Sequence, residues 1–298
     1  MQKLKRLFRN IKFLMRHDLR EIKNRDSISH EQLNVILDNL LSHELPDNPL
    51  KTKKPNIKNI EETIEHLISK KSSFARFGDG ELELMNGKNI PFQSANPALS
   101  EKLKRTIESS EEGLMVGINY HYYHAELSGL LPVVKKFYRA SVPHFRKTLD
   151  LYIDSEKQYY SAAMTQVYSF FESYAFEKHF ERIKTIWKER NITIICGKTV
   201  FNEIENNIFD CASSIDYIHA PSLNAFDNYD EILNQASHVE KNNLIILILG
   251  PTAKPLVYDL HMLGYQALDL GHIAKDYDAY VKGQTRDEKY IVKFFSPD

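Results

Sequence analysis

The sequence contains few residues of the kinds that cross-link a chain or bend it sharply. Of 298 residues, only 11 are glycine, two are cysteine and one is tryptophan. Cys196 and Cys211 do not lie in a metal-binding or redox spacing, which argues against a disulfide framework and a cysteine-based zinc site. The sequence therefore favours a reducing compartment.

No apolar run is long enough to cross a bilayer. The most apolar stretch is "LIILIL" at 244–249, whereas a spanning helix needs about 20 apolar residues. The first residues, "MQKLKRLFRNIKFLMRHDL", have no continuous apolar core and so do not resemble a signal peptide. We expect a cytoplasmic protein.

The charge is small overall but unevenly distributed. The net charge of −1 gives no general signal for binding nucleic acid, yet residues 1–25 contain nine Lys/Arg and only two Asp/Glu. Apolar residues recur there at helical spacing, which predicts a basic amphipathic helix. It could pack on its own body or a sister subunit, or lie on an anionic surface at the inner face of the plasma membrane.

A linker divides this arm from the rest of the chain. A second helix is predicted over 30–43, followed by "LPDNPLKTKKPN" at 45–56, which is rich in proline, lysine and asparagine. We therefore predict a helical extension over residues 1–50 and one main domain over 51–298.

Predicted helices and strands alternate through the main domain. The sequence predicts an α/β fold, a Rossmann-like, mostly parallel sheet with helices on both faces. The predicted strands are 72–78, 113–118, 159–164, 192–197, 216–221, 244–250 and 265–270. The predicted helices are 59–71, 97–108, 127–149, 170–189, 229–239 and 252–263. Because ligands bind beyond the carboxyl ends of such strands, the residues that follow each strand are candidates for the site.

The stretch "ARFGDGELELMNG" places an acid–x–acid pair after the first of these strands. In an extended segment, Asp79 and Glu81 would project to the same side and could hold Mg²⁺ or Mn²⁺. Gly80 would leave room for a diphosphate, and Arg76 could reach a phosphate. Alternatively, Asp79 caps a helix and Glu81 favours its positive end. Spacing alone favours the cap.

Two further turns follow later strands. Gly250-Pro251-Thr252-Ala253 joins a buried strand to a helix whose first N–H groups could bind phosphate, although a Pro-started turn explains it equally well. The stretch "LDLGHIAKDYDAY" brings His272, Asp276 and Asp278 after the last strand. These are candidate general bases, or else loop acids and a capping histidine.

Taken together and in order, these motifs resemble the GT-D glycosyltransferase family, whose Rossmann-like fold carries an Asp-x-Glu metal motif. The resemblance covers about residues 58–280 and rests on four stretches, of which the first and last are the specific ones. They are "ARFGDGELELMNG", "IPFQSANPALSEKL", "NAFDNYDEIL" and "LGPTAKPLVYDLHMLGYQALDLGHI". In this context the metal site is favoured over the cap.

The resemblance implies roles for particular residues. Asp79 and Glu81 would hold Mn²⁺ or Mg²⁺ on the donor diphosphate. The implied donor-binding residues are Arg76, Gly78, Gly80, Gly250, Thr252 and Ala253. The implied base is Asp276, ahead of Asp278 or His272. Of the two stereochemical outcomes, inversion at the anomeric carbon is weakly preferred over retention.

Some positions depart from the family pattern. Ala274 stands where the family tends to have an acid, and Val200 or Phe201 where it tends to have an arginine. We therefore hold two hypotheses. The first is a metal-dependent glycosyltransferase, with hexose transfer expected. It would move a sugar, from a UDP-sugar before other nucleotide-sugars, to a glycan, glycoprotein or lipid-linked acceptor in surface polysaccharide or glycoprotein biosynthesis. The second is a non-catalytic nucleotide-sugar-binding or membrane-docked assembly protein. A nucleotide-sugar phosphohydrolase is a weaker third hypothesis. The sequence leaves open whether the protein forms a homo-oligomer.

Overall fold

A computed structural model describes residues 55–124 and 127–296 of the chain. Within that part, eight strands form a single sheet. They are β1 (Asn56–Ile57), β2 (Ser73–Arg76), β3 (Leu114–Ile118), β4 (Gln158–Ser161), β5 (Asn191–Gly197), β6 (Ser214–Ala220), β7 (Leu244–Ile248) and β8 (Ala267–Asp269). Their order across the sheet is β1-β4-β3-β2-β8-β7-β5-β6, and each pairing is parallel.

Ten α-helices accompany the sheet in the described residues. They are α1 (Ile60–Lys70), α2 (Asp79–Met85), α3 (Pro97–Glu108), α4 (Pro132–Tyr152), α5 (Val167–Phe170), α6 (Phe176–Lys184), α7 (Tyr229–Ala236), α8 (Ala253–Met262), α9 (Ile273–Val281) and α10 (Glu288–Phe294). Short 3₁₀ turns precede several of them, including Gly250–Thr252 before α8.

The direction of each crossover determines which face of the sheet its helix covers. Crossovers between parallel strands are right-handed in nearly all proteins. The connections β2–β3, β3–β4, β6–β7 and β7–β8 run in one direction across the sheet, whereas β1–β2 and β4–β5 run in the other. Helices α2, α3, α4, α7 and α8 therefore cover one face, and α1 and α6 cover the other.

Burial on both faces explains why the strands are so apolar. All residues of β2 and β3 are buried, and six of the seven residues of β5 are buried. Runs of Ile, Leu and Val that lack polar alternation are expected of strands with helices on both sides. The edge strand β6 is largely exposed instead.

The expected fold class is confirmed, with every strand pairing parallel. The predicted helix at 170–189 corresponds to the shorter α6, and α5, which overlaps that range only at Phe170, was not predicted. The predicted helix at 127–149 corresponds to α4 at Pro132–Tyr152. Helices α9 and α10 and strand β1 were not predicted. The predicted helices at 1–25 and 30–43, and the boundary at residue 50, lie outside the described residues. No helix within 55–124 and 127–296 combines the length and apolarity needed to cross a membrane.

Candidate active site

The carboxyl ends of β2 and β8 meet at the centre of the sheet. Phe74 of β2 pairs with Leu268 of β8, although the two strands lie near opposite ends of the main domain. The chain continues from β2 towards β3 on one side, whereas β8 is reached from β7 on the other. Open α/β sheets bind ligands where their connections diverge in this way. The stretches that follow β2, β7 and β8 therefore lie together at this edge of the sheet, which we call the cleft.

Asp79 and Glu81 both belong to a helix, which corrects the expectation of an extended segment. Helix α2 begins at Asp79, with Gly78 as its N-cap. Positions two apart on a helix point in different directions, so the two carboxylates do not share one side through strand alternation. The backbone N–H of Gly78 donates to Oε2 of Glu81 at 2.8 Å. The contact expected of a helix cap is therefore present, and Glu81 makes it.

Asp79 is the exposed acid of the pair. The protein surrounding the cleft desolvates its carboxyl and the charge of Glu81 repels it, and both effects raise the pKa of Asp79 above its ordinary value. The buried Tyr122 lies close enough to Asp79 for that carboxylate to raise the pKa of its phenol further, in addition to burial. A carboxylate destabilised by a neighbouring acid is a favourable place for a cation.

Glu81 is buried and ion-paired. Its Oε1 lies 2.8 Å from Nζ of Lys254, and the same ammonium lies 3.1 Å from Oδ2 of Asp269. Asp269 ends β8 and is fully buried. Burial would raise the pKa of Asp269, but the charges of Arg76 and Lys254 and the hydrogen bonds from both outweigh it, so the pKa is lowered. Two cations and two anions form a compact cluster under the cleft.

Arg76 belongs to this cluster, which corrects its expected role as a phosphate ligand. Its Nε donates to the carbonyl of Asp269 at 2.8 Å, and its Nη2 lies 3.2 Å from Oδ1 of the same residue. Its Nη1 donates to the carbonyl of Ala162 and, at 2.6 Å, to Oγ1 of Thr165. Arg76 is only 7% exposed. It joins β2, β8 and the turn after β4 and does not project into the cleft.

The glycines of the motif make room for protein atoms. A Cβ on Gly80 would lie 3.1 Å from Cδ1 of Ile90, so the absent side chain accommodates this neighbour where we had expected a diphosphate. A Cβ on Gly78 would lie 3.4 Å from Oε2 of Glu81, an ordinary contact. Gly78 and Gly80 are both partly exposed, so their backbone can still approach a ligand.

The turn after β7 exposes only its first residue. Gly250 is exposed and has φ of +52°, whereas Thr252 and Ala253 are fully buried. Their side chains therefore do not line the cleft, which corrects the expectation that they contact the donor. Gly250 remains in place to do so through its backbone.

His272 lies at the cleft as a neutral imidazole. Burial and the positive charges of Arg76, Lys275 and Lys254 lower its pKa to about 3. The Nδ1 atom of His272 lies 3.2 Å from the side-chain amide nitrogen of Gln166. With this amide as the donor, Nδ1 accepts and the ring carries its proton on Nε2. At neutral pH this histidine is suited to donate a hydrogen bond and is a poor base.

The rings of Phe92, Phe294 and Phe295 surround His272. Their centroids lie 6.4, 5.4 and 5.5 Å from that of the imidazole. Phe294 closes α10, so the end of the described chain packs against the site.

Asp276 and Asp278 are engaged inside the protein, and this arrangement argues against their expected role as a base. Asp276 is fully buried and accepts from the N–H groups of Tyr168 and Ser169 at 2.9 Å each and from Oγ of Ser169 at 2.6 Å. Burial raises its pKa to about 7 against these bonds. Asp278 accepts from both nitrogens of Asn206 at 2.9 Å and pairs with Lys282 at 2.7 Å. Neither carboxylate is presented to the cleft.

Sequence reasoning missed the three residues that organise the site most directly, which are Lys254 as a partner of Glu81, Asp269 and Gln166. Asp269 gave a signal, because an acid within a buried apolar strand must be paired. Lys254 gave no signal that its partner is Glu81. Gln166 gave no signal in the sequence.

A divalent metal fits this site through Asp79. In the described residues, no three His, Cys, Asp or Glu side chains come together as a metal cluster. Mg²⁺ usually binds one or two carboxylates, with water and substrate phosphates filling the remaining positions. The exposed Asp79 suits such a site. Glu81 could join it only in competition with the ammonium of Lys254.

Comparisons with known proteins bear on the family and the fold of the chain. A family model described as "Glycosyltransferase GT-D fold" matches residues 74–294. Among curated proteins, the chain is 31% identical over 271 residues to "Glycosyltransferase GlyD" of Streptococcus pneumoniae serotype 4 (strain ATCC BAA-334 / TIGR4), covering 88% of this chain and 32% of that protein. It is 32% identical over 236 residues to "Probable glycosyl transferase Gly" of Streptococcus gordonii, covering 78% and 34%. The chain therefore spans about a third of the length of these relatives.

Solved structures show the same fold. One, described as a highly conserved domain of unknown function 1792 with a distinct glycosyltransferase fold, has a TM-score of 0.72 at 32% identity and covers 85% of this chain and 86% of that chain. Another, described as a new glycosyltransferase (DUF1792) from Streptococcus sanguinis, has a TM-score of 0.74 at 31% identity and covers 79% and 87%.

Proposed function

Because the chain belongs to the GT-D glycosyltransferase family, we propose that it transfers a sugar from a nucleotide-sugar donor to an acceptor hydroxyl. One observation carries this proposal. The motif residues Asp79, Gly250 and His272 are distant in sequence, yet they follow β2, β7 and β8, which are adjacent in the sheet. The donor would lie across the cleft at these carboxyl ends, where doubly wound sheets bind nucleotides.

The cleft offers few charges to a diphosphate. In the buried cluster Arg76 and Lys254 are balanced by Glu81 and Asp269, so that cluster does not offset the negative charge of Asp79. A divalent ion held by Asp79, Mn²⁺ or Mg²⁺, would neutralise charge that develops on the leaving diphosphate. The backbone at Gly78, Gly80 and Gly250 can approach the donor, since all three residues are at least partly exposed.

His272 contributes a hydrogen-bond donor at the edge of the cleft. Its Nε2–H would bind an oxygen of the donor or acceptor, because the low pKa keeps the ring neutral and Gln166 occupies Nδ1. A neutral donor in a partly enclosed site can stabilise developing negative charge without a change of protonation. This role replaces that of general base for His272.

The acceptor and donor belong to the proposal as classes. We propose a glycan, glycoprotein or lipid-linked acceptor in surface polysaccharide or glycoprotein biosynthesis, and a hexose carried by UDP as the first donor to test. The curated relatives are named only as glycosyltransferases and are about three times as long as the matched region.

The test is to incubate the full chain with Mn²⁺ and a panel of UDP-, GDP- and TDP-sugars and to measure release of nucleoside diphosphate. We expect release with at least one donor, and a loss of at least about 100-fold in kcat/KM for Asp79→Asn, or about 2.7 kcal/mol of transition-state stabilisation. The matched control is Asp210→Asn, an exposed acid outside the cleft, which should keep full activity. No release with any donor would refute the proposal.

One observation favours a second candidate, a non-catalytic nucleotide-sugar-binding protein on the same fold. Asp276 and Asp278 stand near the last strand where a base was expected, but their oxygens are engaged in the protein interior. A binding protein would give a heat of binding with a UDP-sugar in calorimetry and no release of diphosphate. A transferase gives both.

A further inference from the structure

Lys254 is fully coordinated inside the protein. It is the second residue of α8 and is 5% exposed. Its ammonium lies 2.8 Å from Oε1 of Glu81, 3.1 Å from Oδ2 of Asp269 and 3.0 Å from the carbonyl of Gly250. An ammonium has three N–H donors, so each finds one acceptor. The side chain thereby links the segments that follow β2 and β7 to the end of β8.

These contacts leave Glu81 without an unengaged carboxylate oxygen. Oε1 is paired with Lys254, and Oε2 accepts from the N–H of Gly78 at 2.8 Å. Glu81 is also only 7% exposed. A carboxylate oxygen has two lone pairs, so a metal at Glu81 would have to share its oxygens with Lys254 and with the N–H of Gly78. The ammonium 2.8 Å from Oε1 would repel a cation placed there. Asp79 has no such competitor among the described residues and is exposed.

The charges around Lys254 act in the same direction. The ammonium of Lys254 offsets the charge of Glu81, so a divalent ion placed beside Asp79 is held by one unpaired carboxylate. Such interactions between charges a few Å apart are large inside a protein. A diphosphate brings several negative charges and oxygen ligands of its own, which would add to the single carboxylate of Asp79.

We infer that Lys254 is a built-in cation that keeps Glu81 from the metal, so that the divalent ion binds at Asp79 only together with a diphosphate. This inference rests on the proposed function for the identity of the ligand. It gives Lys254 a positioning role, since its ammonium acts through Glu81. The order of binding follows from it, because the metal and the donor arrive as one complex.

The test measures metal binding and needs no turnover. Mn²⁺ is titrated into the full chain, and free Mn²⁺ is followed by electron paramagnetic resonance, with and without UDP, GDP or inorganic pyrophosphate. We expect at least one of the three to tighten Mn²⁺ binding by about tenfold or more, which is about 1.4 kcal/mol. Tight binding without any diphosphate, or no tightening with all three, would overturn the inference.

Variants separate Lys254 from general charge effects. Lys254→Met should tighten Mn²⁺ binding in the absence of diphosphate by about tenfold or more, because it frees Glu81, and adding Glu81→Gln should abolish that gain. Lys102→Met removes a cation paired with Asp259 elsewhere and should change nothing. Unchanged or weaker Mn²⁺ binding in folded Lys254→Met would contradict the inference.

A second comparison serves if Lys254→Met does not fold. In the otherwise unchanged chain, Glu81→Gln should keep Mn²⁺–diphosphate affinity within about threefold, whereas Asp79→Asn should abolish it. Equal losses in the two variants would show that Glu81 is a ligand and would refute the inference. Because these are binding measurements, they stand even if no sugar is transferred, which distinguishes this failure from failure of the proposed function.

Discussion

At the scale of single residues, Gly271 connects the backbone to the buried ion pairs. It has φ of +47°, and a Cβ there would lie 1.9 Å from Nη2 of Arg76. Gly271→Ala should therefore destabilise the fold by about 3–5 kcal/mol, because a left-handed backbone strain of about 1 kcal/mol is added to a clash with a guanidinium that is bonded in place. Urea unfolding followed by circular dichroism measures this loss.

Gly283 provides the matched control for that substitution. It also has positive φ, +62°, but a Cβ there would meet nothing within 4 Å. Gly283→Ala should cost only about 1 kcal/mol, the backbone term alone. Equal losses at Gly271 and Gly283 would mean that Arg76 can move aside and that the cluster is not rigid.

The pH dependence of His272 provides a second test at this scale. Its folded-state pKa of about 3 lies below the ordinary value of 6.5. The contribution of the neutral ring to stability is thus complete above about pH 6.5 and is lost as the pH falls towards 3. In ¹³C–¹H spectra, the His272 ring should not titrate between pH 8 and 5.

Substitution tests the same point through stability. The unfolding free energy is expected to fall between about pH 6.5 and 4, in part because of His272. His272→Gln should remove this part of the fall, since glutamine does not titrate. A midpoint for His272 near pH 6 in the spectra would contradict the neutral-donor role and restore the imidazole as a candidate base.

The sequence placed Asp79 and His272 shortly after β2 and β8, as the structure does, because the apolar runs of those strands are easy to recognise. It could not show that Lys254 holds Glu81, or that Arg76 turns inwards to Asp269 and Thr165. Those contacts join segments far apart in the chain, and their geometry depends on the order of strands in the sheet. Local patterns carry no information about that order.

At the scale of elements, the one-turn helix α5 is held at both ends by the last part of the chain. Asp276 accepts from the N–H groups of Tyr168 and Ser169, and Arg286 donates to the carbonyls of Tyr168 and Phe171. Four residues cannot form a stable helix alone. Helix α5 therefore depends on α9 and on Arg286, and through Gln166 it bears on the orientation of His272.

Asp276→Asn tests this structural role against a catalytic one. Both carboxylate oxygens accept from N–H groups, whereas an amide has one acceptor oxygen and would leave a buried N–H unpaired. We expect a loss of about 1–3 kcal/mol in unfolding free energy, with kcat per folded molecule reduced by less than about tenfold. Thermal unfolding and donor turnover measured on one preparation check both.

The control is Asp287→Asn at the N-cap of α10. Asp287 uses a single oxygen to accept from the N–H of Tyr290, and asparagine caps helices about as well as aspartate. The unfolding free energy of the Asp287→Asn variant should equal that of the unsubstituted protein. If Asp276→Asn kept the unfolding free energy of the unsubstituted protein but lost activity about 1,000-fold, Asp276 would be the base.

Helix α9 was not predicted, and its buried acids give the physical reason. The stretch that becomes α9 contains Asp276 and Asp278, and acids in such number suggested a solvated loop. In the structure both are buried and satisfied by distant donors, Ser169 and Asn206 among them. Burial of polar side chains with remote partners hides the apolar periodicity on which sequence prediction depends.

At the scale of the whole molecule, the sequence predicted the class of fold because alternation of buried strands and amphipathic helices nearly determines it. The positions of the strands in the sheet were not predictable in this way. The connection from β4 to β5 passes over β3, β2, β8 and β7. That crossing makes β2 and β8 neighbours and so assembles the cleft, and it is a property of global packing.

The basic arm is the part of the molecule whose role remains a prediction. Residues 1–25 contain nine Lys/Arg with apolar residues at helical spacing, and lie outside the described residues. If the arm lies on anionic membrane, deleting residues 1–25 should abolish sedimentation with phosphatidylglycerol-containing vesicles and leave donor turnover unchanged. Each Lys or Arg near such a surface contributes about 1 kcal/mol. The intact chain should therefore bind poorly to pure phosphatidylcholine vesicles, and poorly to the anionic vesicles in high salt.

A second variant separates charge from apolar insertion. Replacing Leu7, Phe8 and Ile11 by serine keeps every charge and should weaken vesicle binding strongly, because burial of an apolar face adds to the electrostatic attraction. The competing interpretation is a contact with the body or a sister subunit. It predicts instead that the deletion leaves sedimentation unchanged and lowers either the mass measured by light scattering or the unfolding temperature. Vesicle binding that survives the deletion would therefore assign the arm to the protein and not to the membrane.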